Sequence, residues 1–243
     1  MQELFVLVVK RSPHAPLEIC GCATRDAAHA LGFPHTSAIL APVTWDESLV
    51  EPVVLLHKRS PYKRTCPDTW DFCGGHLTFE TSYLDLLERA LDSQQLLERA
   101  SLDTAVREAN EELQCEPPFQ FRPQHVYRFQ AVGYFACETQ GQRGKNVEFS
   151  TAYVVAVPGD RSVTVWDTDA KGERQLEVRR CMWPELLERY RDEPGAFADG
   201  AGRVLKKLSQ DAKLNAEFER LVKDASAAFG SAQHPNQGRV GRR

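Results

Sequence analysis

The chain has 243 residues, 42% of them hydrophobic and 26% charged, with a formal net charge of −4. That length suits one large domain or one domain with appendages, and the composition is ordinary for a soluble globular protein. The slight acidity gives no reason to expect nucleic-acid or anionic-membrane binding through bulk charge, and no apolar run approaches the roughly 20 residues of a membrane span. Seven cysteines, an odd number without a framework spacing, predict reduced thiols in a cytoplasmic protein.

In chain order, Leu4 to Val9 reads as a buried strand. The acid at Glu3 and the lack of a small-residue cleavage site set it apart from a secretory signal. Glu18 to Cys22 is its hairpin partner after the Ser12–Pro16 turn, and Asp26 to Leu31 permits a short helix. Cys20 and Cys22 have no second cysteine or histidine pair at zinc spacing, so they read as ordinary thiols. His14, His29 and His35 lack acidic or cysteine partners at ligand spacing and read as surface histidines. Residues 1–35 thus form a small N-terminal extension, and the main domain is expected over 36–195.

Ser37 to Val43 and Pro52 to Arg59 read as strands, and Lys58, Arg59, Lys63 and Arg64 make a basic cluster. The stretch from Trp70 to Thr81 contains Gly74–Gly75, a tight turn where backbone must approach something closely. Within residues 82–100, Leu84, Leu87, Leu91, Leu96, Leu97 and Ala100 recur at helical spacing. This predicts an amphipathic insertion packed on the domain or against a second subunit, in a homodimer. Ser101 then reads as the N-cap of a fresh helix that runs through Arg107-Glu108-Ala109-Asn110-Glu111-Glu112. On that helix Glu108, Glu111 and Glu112 can crowd one side. Such a trio is either a solvated acidic face or a set of oxygen ligands for a hard divalent cation. Glu116-Pro117-Pro118 ends the helix. Val126 to Glu138 and Val147 to Val157 read as a hairpin, Ser162 to Trp166 as a strand, and Asp167 to Gly172 as a turn. Leu176 to Trp183 leads into a helix opened by Pro184, followed by C-terminal helices over Ala201–Leu208 and Leu214–Phe229 within 196–230. The polar, basic stretch 231–243 reads as a disordered tail.

Gly75, with Arg107, Glu108, Ala109, Glu111 and Glu112, resembles the Nudix box: Gly, five residues, Glu, seven residues, Arg-Glu-apolar-x-Glu-Glu-x-Gly-apolar. The chain departs from that pattern in three ways. Thr81 stands where the first glutamate falls, with Glu80 one residue early. A long insertion separates Thr81 from Arg107, and Gln114 replaces the final glycine. The resemblance covers about residues 36 to 195 and implies an α/β fold: an α/β/α sandwich around a mixed β-sheet, plus the helical insertion and C-terminal helices. It implies Mg²⁺ or Mn²⁺ held by Glu108, Glu111 and Glu112 with the Gly74 carbonyl, and metal-assisted hydrolysis of a small-molecule diphosphate. Glu111, Glu112 or Glu148 would accept a proton from water, with Glu148 ahead of Glu173 and Glu177 as the extra carboxylate facing the box helix. Arg107 would brace the Gly75 turn, and Lys58, Arg59 and His76 would contact the substrate. Two other readings stay open. Trp70…Cys73-Gly74-Gly75-His76 is similar to the turn of isopentenyl-diphosphate isomerases, although their cysteine directly precedes Gly-His and Cys73 is one residue early. The missing first glutamate also suits a non-catalytic sensor or interaction domain.

Overall fold

The computed structural model describes residues 4–12, 15–63, 65–78, 92–132, 134–141, 144–169 and 171–230. The leucines Leu84, Leu87 and Leu91, the box positions Glu80 and Thr81, and the 231–243 tail lie outside the described residues.

Strands β1 (Leu4–Lys10) and β2 (Leu17–Thr24) form the expected antiparallel hairpin, and helix α1 (Arg25–Leu31) follows directly. Thr24 caps α1 by accepting the Ala27 N–H at 3.3 Å, and Gly32 ends it at φ 66°, a left-handed turn that suits glycine. The hairpin is no separate appendage. Leu7 pairs with His35 at the start of β3 (His35–Asp46), so the N-terminal strands extend the main sheet. That sheet continues through β4 (Glu51–Lys58), β5 (Trp70–Asp71), β6 (Cys73–His76), β8 (Val126–Arg128), β9 (Phe135–Gly141), β10 (Gly144–Ala156) and β13 (Val178–Met182). It is mixed: β10 runs parallel to β3 from Glu148↔His35 to Ala156↔Val43, whereas β4 and β6 pair with β3 antiparallel. A smaller antiparallel sheet joins β7 (Leu113–Glu116), β11 (Ser162–Asp169) and β12 (Gly172–Leu176). Asp167 to Asp169 therefore continue a strand where a turn was expected.

Both faces of the large sheet are covered, which is why β3 is buried along ten successive residues. On one face Ala38, Leu40, Tyr153 and Val155 pack with Ala105 and Ala109 of helix α2 (Ser93–Glu112). On the other, Ile39, Ala41, Ala152 and Val154 pack with the C-terminal helices α3 (Trp183–Asp192), α4 (Asp199–Gln210) and α5 (Ala212–Gly230). The alternation of side chains along β3 and β10 thus sorts every residue to one face or the other. Among the described residues no helix is long and apolar enough to cross a membrane.

Helix α2 corrects one boundary. It starts at Ser93, capped by Asp92, whose carboxylate accepts the Gln95 N–H at 2.8 Å while the Gln95 side chain accepts the Asp92 N–H at 3.4 Å. Ser101 is no cap. It lies mid-helix, buried, with its hydroxyl bonded to that of Tyr153 at 2.9 Å. Leu96, Leu97 and Ala100 therefore belong to the same continuous helix as the three glutamates. Its C-terminus needs no glycine, because Leu113 is already extended (φ −97°, ψ 101°) and the chain enters β7 at once.

Candidate functional site

The buried stripe of α2 runs through Leu97, Ala100, Ser101, Thr104 and Ala105 to Glu108, at the three- and four-residue spacing of a packed face. A glutamate that continues an apolar stripe is unusual and must be compensated. Gly74 and Gly75 are strand residues of β6 paired with β3, where a tight turn was expected. Glu108 is 8% exposed and lies against this glycine pair, so closely that a Cβ on Gly75 would stand 2.0 Å from Glu108 Oε1. One turn on, Glu112 Oε2 accepts the Gly74 N–H at 3.0 Å. Gly74 itself has φ 145°, and a Cβ there would stand 2.2 Å from the Ala38 carbonyl oxygen. The glycine pair therefore lets two helix carboxylates and a neighbouring strand meet at one point, a close approach of the kind expected of it.

Arg107 lies between two acids: its Nη2 is 2.7 Å from Glu108 Oε1 and its Nη1 is 2.9 Å from Glu111 Oε2. Burial alone would lower its pKa, but Glu108 and Glu111 raise it. Nη2 also donates to the His76 carbonyl at 3.5 Å, so Arg107 spans from α2 to the backbone at the end of β6. Glu111 is the trio's solvent-facing member, its side chain 56% exposed. Glu112 is half-buried as a whole, with its carboxylate enclosed. Burial, then the charge of Glu108, pushes its carboxyl well above the usual range, against the pull of the Gly74 N–H. Cys73 adjoins it. Its thiol is raised by burial and by Glu112, and its Sγ lies 3.8 Å from Nδ1 of the buried His57.

Two contributors carried no sequence signal. Asp167 on β11 bears electrostatically on Glu112, and Lys63 Nζ is ion-paired to Asp167 at 2.7 Å. Only the pairing of β11 with β7, the strand that follows α2, brings Asp167 here. His57 likewise reaches the site by the register of β4.

Other expected residues go elsewhere. Glu148 lies on the opposite face of the sheet from α2 and does not face the box helix. Its carboxylate is held by the hydroxyls of Ser37 and Ser150 (the latter at 3.0 Å) and by Arg203 Nη2 of α4 at 3.2 Å. Burial would raise Glu148, yet Arg203 and the other donors hold it far below the usual carboxylate range. Glu173 is exposed on β12, and Glu177 is exposed too, its carbonyl accepting the Lys58 N–H at 2.8 Å. Arg59 is committed to Asp71 Oδ2 at 3.0 Å and to the Thr65 carbonyl at 3.2 Å, which braces its own loop. Asp71 in turn accepts the Ala201 N–H at 2.8 Å, so this pair ties β5 to α4. Lys58 is half-buried at the end of β4. His76 points away from Glu108, as alternation after Gly75 requires, and stacks on Phe5 at 4.3 Å. Neither His29 nor His35 is a free surface residue: His35 is fully buried, and both rings lie beside His76.

Crowded carboxylates in an enclosed place fit a hard divalent cation, which takes carboxylate, carbonyl and water oxygens. Glu108 and Glu112 are such a pair, with the Gly74 backbone beside them.

No family model matches the chain, and no curated protein does. Among solved structures, it is similar to a Nudix hydrolase from Alicyclobacillus acidocaldarius at 15% identity and TM-score 0.45, covering 70% of this chain and 89% of that one. The Nudix domain of Shewanella oneidensis NrtR complexed with ADP ribose matches at 14% identity and TM-score 0.39, covering 74% and 87%. A C. elegans Ap4A hydrolase matches at 12% and 0.33, covering 80% and 96%. At these scores the likeness carries no weight for chemistry. The chain has a mixed α/β fold, and two of these three solved structures bear the Nudix description.

Proposed function

We propose that this protein is a divalent-metal-dependent hydrolase of a diphosphate linkage, acting on a nucleoside diphosphate derivative or a related small molecule. The observation that carries the reading is the docking of Glu108 and Glu112 onto Gly74–Gly75. Nothing in a merely structural helix calls for two acids driven against a pair of strand glycines. Glu108, Glu111 and Glu112, with the Gly74 carbonyl, would hold Mg²⁺ or Mn²⁺. When bound, such an ion screens the charge of a diphosphate and acidifies a coordinated water.

The chain's own residues do the positioning. The Gly74 N–H fixes the Glu112 carboxylate. Arg107 ties Glu108 to Glu111 and spans to the His76 carbonyl, so one guanidinium orients two of the three acids. Glu111, the acid solvent reaches, would take a proton from water as the water oxygen bonds to phosphorus and the bridging P–O bond breaks. Lys63, held at the rim by Asp167, supplies a cation that an anionic substrate can compete for.

A panel of nucleoside diphosphate derivatives, dinucleoside polyphosphates and prenyl diphosphates, each assayed with Mg²⁺ and Mn²⁺, tests this. Release of phosphate or a nucleoside monophosphate by the wild type, lost in Glu112→Gln, supports hydrolysis. An isomerised prenyl diphosphate with no phosphate released would instead assign the site to Cys73 chemistry. Tight binding without turnover would assign it to sensing.

A further inference from the structure

The face of the sheet opposite the glutamates carries a second cluster of metal-ligating groups. His29 comes from α1, His35 opens β3, and His76 closes β6. Far apart in sequence, the three each offer a ring nitrogen within 4.8 Å of the others. Tetrahedral zinc–nitrogen bonds of about 2.0–2.1 Å place two ligand nitrogens about 3.4 Å apart, so the rings need to draw in by up to about 1.4 Å.

Hydrogen bonding points the same way. His35 Nδ1 lies 3.0 Å from the Phe33 carbonyl, which can only accept, so the proton is on Nδ1 and the lone pair on Nε2. The Nε2 atoms of His29 and His35 are buried and have no hydrogen-bond partner among the described residues, a rare condition for buried polar atoms. Glu148 stands opposite His35 in the β10–β3 register, buried and anionic on the same face. Its oxygens are already taken by Ser37, Ser150, Asn146 and Arg203, which leaves it the part of counter-charge. Phe5 stacks on His76 at 4.3 Å and closes the cluster from one side.

We propose that His29, His35 and His76 form a binding site for a first-row divalent transition metal of the zinc class, separate from the carboxylate site. Three neutral imidazoles suit Zn²⁺, Co²⁺ or Ni²⁺, with a fourth position left for water, whereas Mg²⁺ prefers oxygen donors. The ion would join α1 to the strand that carries Gly74–Gly75, since His76 directly follows that pair. This inference stands whether or not the protein is a hydrolase.

The test uses the full chain, stripped with a chelator and titrated with Co²⁺ and then Zn²⁺. One equivalent of Co²⁺ should give the visible absorption of a tetrahedral nitrogen site, and Zn²⁺ should displace it. His29→Gln, at a half-exposed position, should lower the affinity at least about tenfold with its circular dichroism unchanged, while Glu112→Gln leaves it alone. If His29→Gln fails to fold, imidazole NMR of the wild type decides: of the seven histidines, three must shift together on Zn²⁺ addition. No saturable binding, equal binding by a folded His29→Gln, loss of binding in Glu112→Gln, or Zn²⁺ shifts on other histidines would each overturn the proposal.

Discussion

Replacing Gly75 by alanine isolates the contact on which the site depends. The added Cβ would lie 2.0 Å from Glu108 Oε1, 2.4 Å from Cδ and 2.9 Å from Oε2, where real contacts stay beyond 3.0 Å. The carboxylate must therefore retreat by about 1 Å or more. It is the far end of a flexible side chain, so the fold gives way cheaply. What is lost is chiefly the contact between the buried Glu108 carboxylate and the one-third-exposed Arg107, worth about 1–3 kcal/mol. For a chain of this size that is a melting-temperature change of roughly 2–12 °C. Activity is another matter, because a displacement of about 1 Å in a positioned group can cost on the order of 10²-fold in rate. Gly74→Ala meets a backbone obstacle instead, the Ala38 carbonyl oxygen at 2.2 Å, at φ 145°. Neither can retreat, so this variant should lose several kcal/mol of stability, of the order of 3 kcal/mol or more. Gly195→Ala, with nothing within 4 Å, is the neutral control. The assay is turnover with Mn²⁺ alongside thermal melting. Wild-type turnover in Gly75→Ala would refute the idea that Glu108 works where it is found.

Three further outcomes follow from the same geometry. Burial and Glu108 raise the Glu112 carboxyl above its unfolded value of 4.5, so its protonated form stabilises the fold, and that contribution is lost as pH rises through the folded value. In metal-free buffer Glu112→Gln should thus gain on the wild type in urea midpoint as pH rises from 4.5 to 8; a variant that falls behind at pH 8 contradicts the burial argument. Arg203→Met strands the Glu148 carboxylate, and breaking a buried pair of this kind costs about 3–5 kcal/mol, or roughly 6–20 °C in melting temperature. A change below 1 kcal/mol would mean that water already reaches the pair. Lys63→Ala should raise KM for a diphosphate substrate more than it lowers kcat, whereas an unchanged KM would confine Lys63 to its pairing with Asp167.

Much of this architecture was legible because the relevant signals are local. The alternation and β-branched runs of β1, β3, β4 and β10, and the Trp183–Pro184 helix start, each follow from a few adjacent residues. The pairing of the glycine pair with an acidic helix came instead from the resemblance to the Nudix box, not from adjacent residues. The site's remainder was hidden for a physical reason: it depends on which face a strand residue takes and on register between distant strands. A one-residue step separates Gly75, under Glu108, from His76, on the other face. The same rule carries Glu148 to Arg203 and away from α2. His29, His35 and His76 look isolated along the chain and meet only when β6 pairs with β3 and α1 folds over that edge. The Ser101 cap was misread because serine is an equally good signal of a cap and of a buried hydroxyl with a tyrosine partner.

Mn²⁺ binding followed by electron paramagnetic resonance, in a His29→Gln background that disables the histidine cluster, tests the central claim most directly. Wild-type carboxylates should quench the free-ion signal at a stoichiometric site, and Glu108→Gln combined with Glu112→Gln should restore it. If the double replacement binds Mn²⁺ as well as its parent does, the glutamates over Gly74–Gly75 do not hold a metal and the account fails.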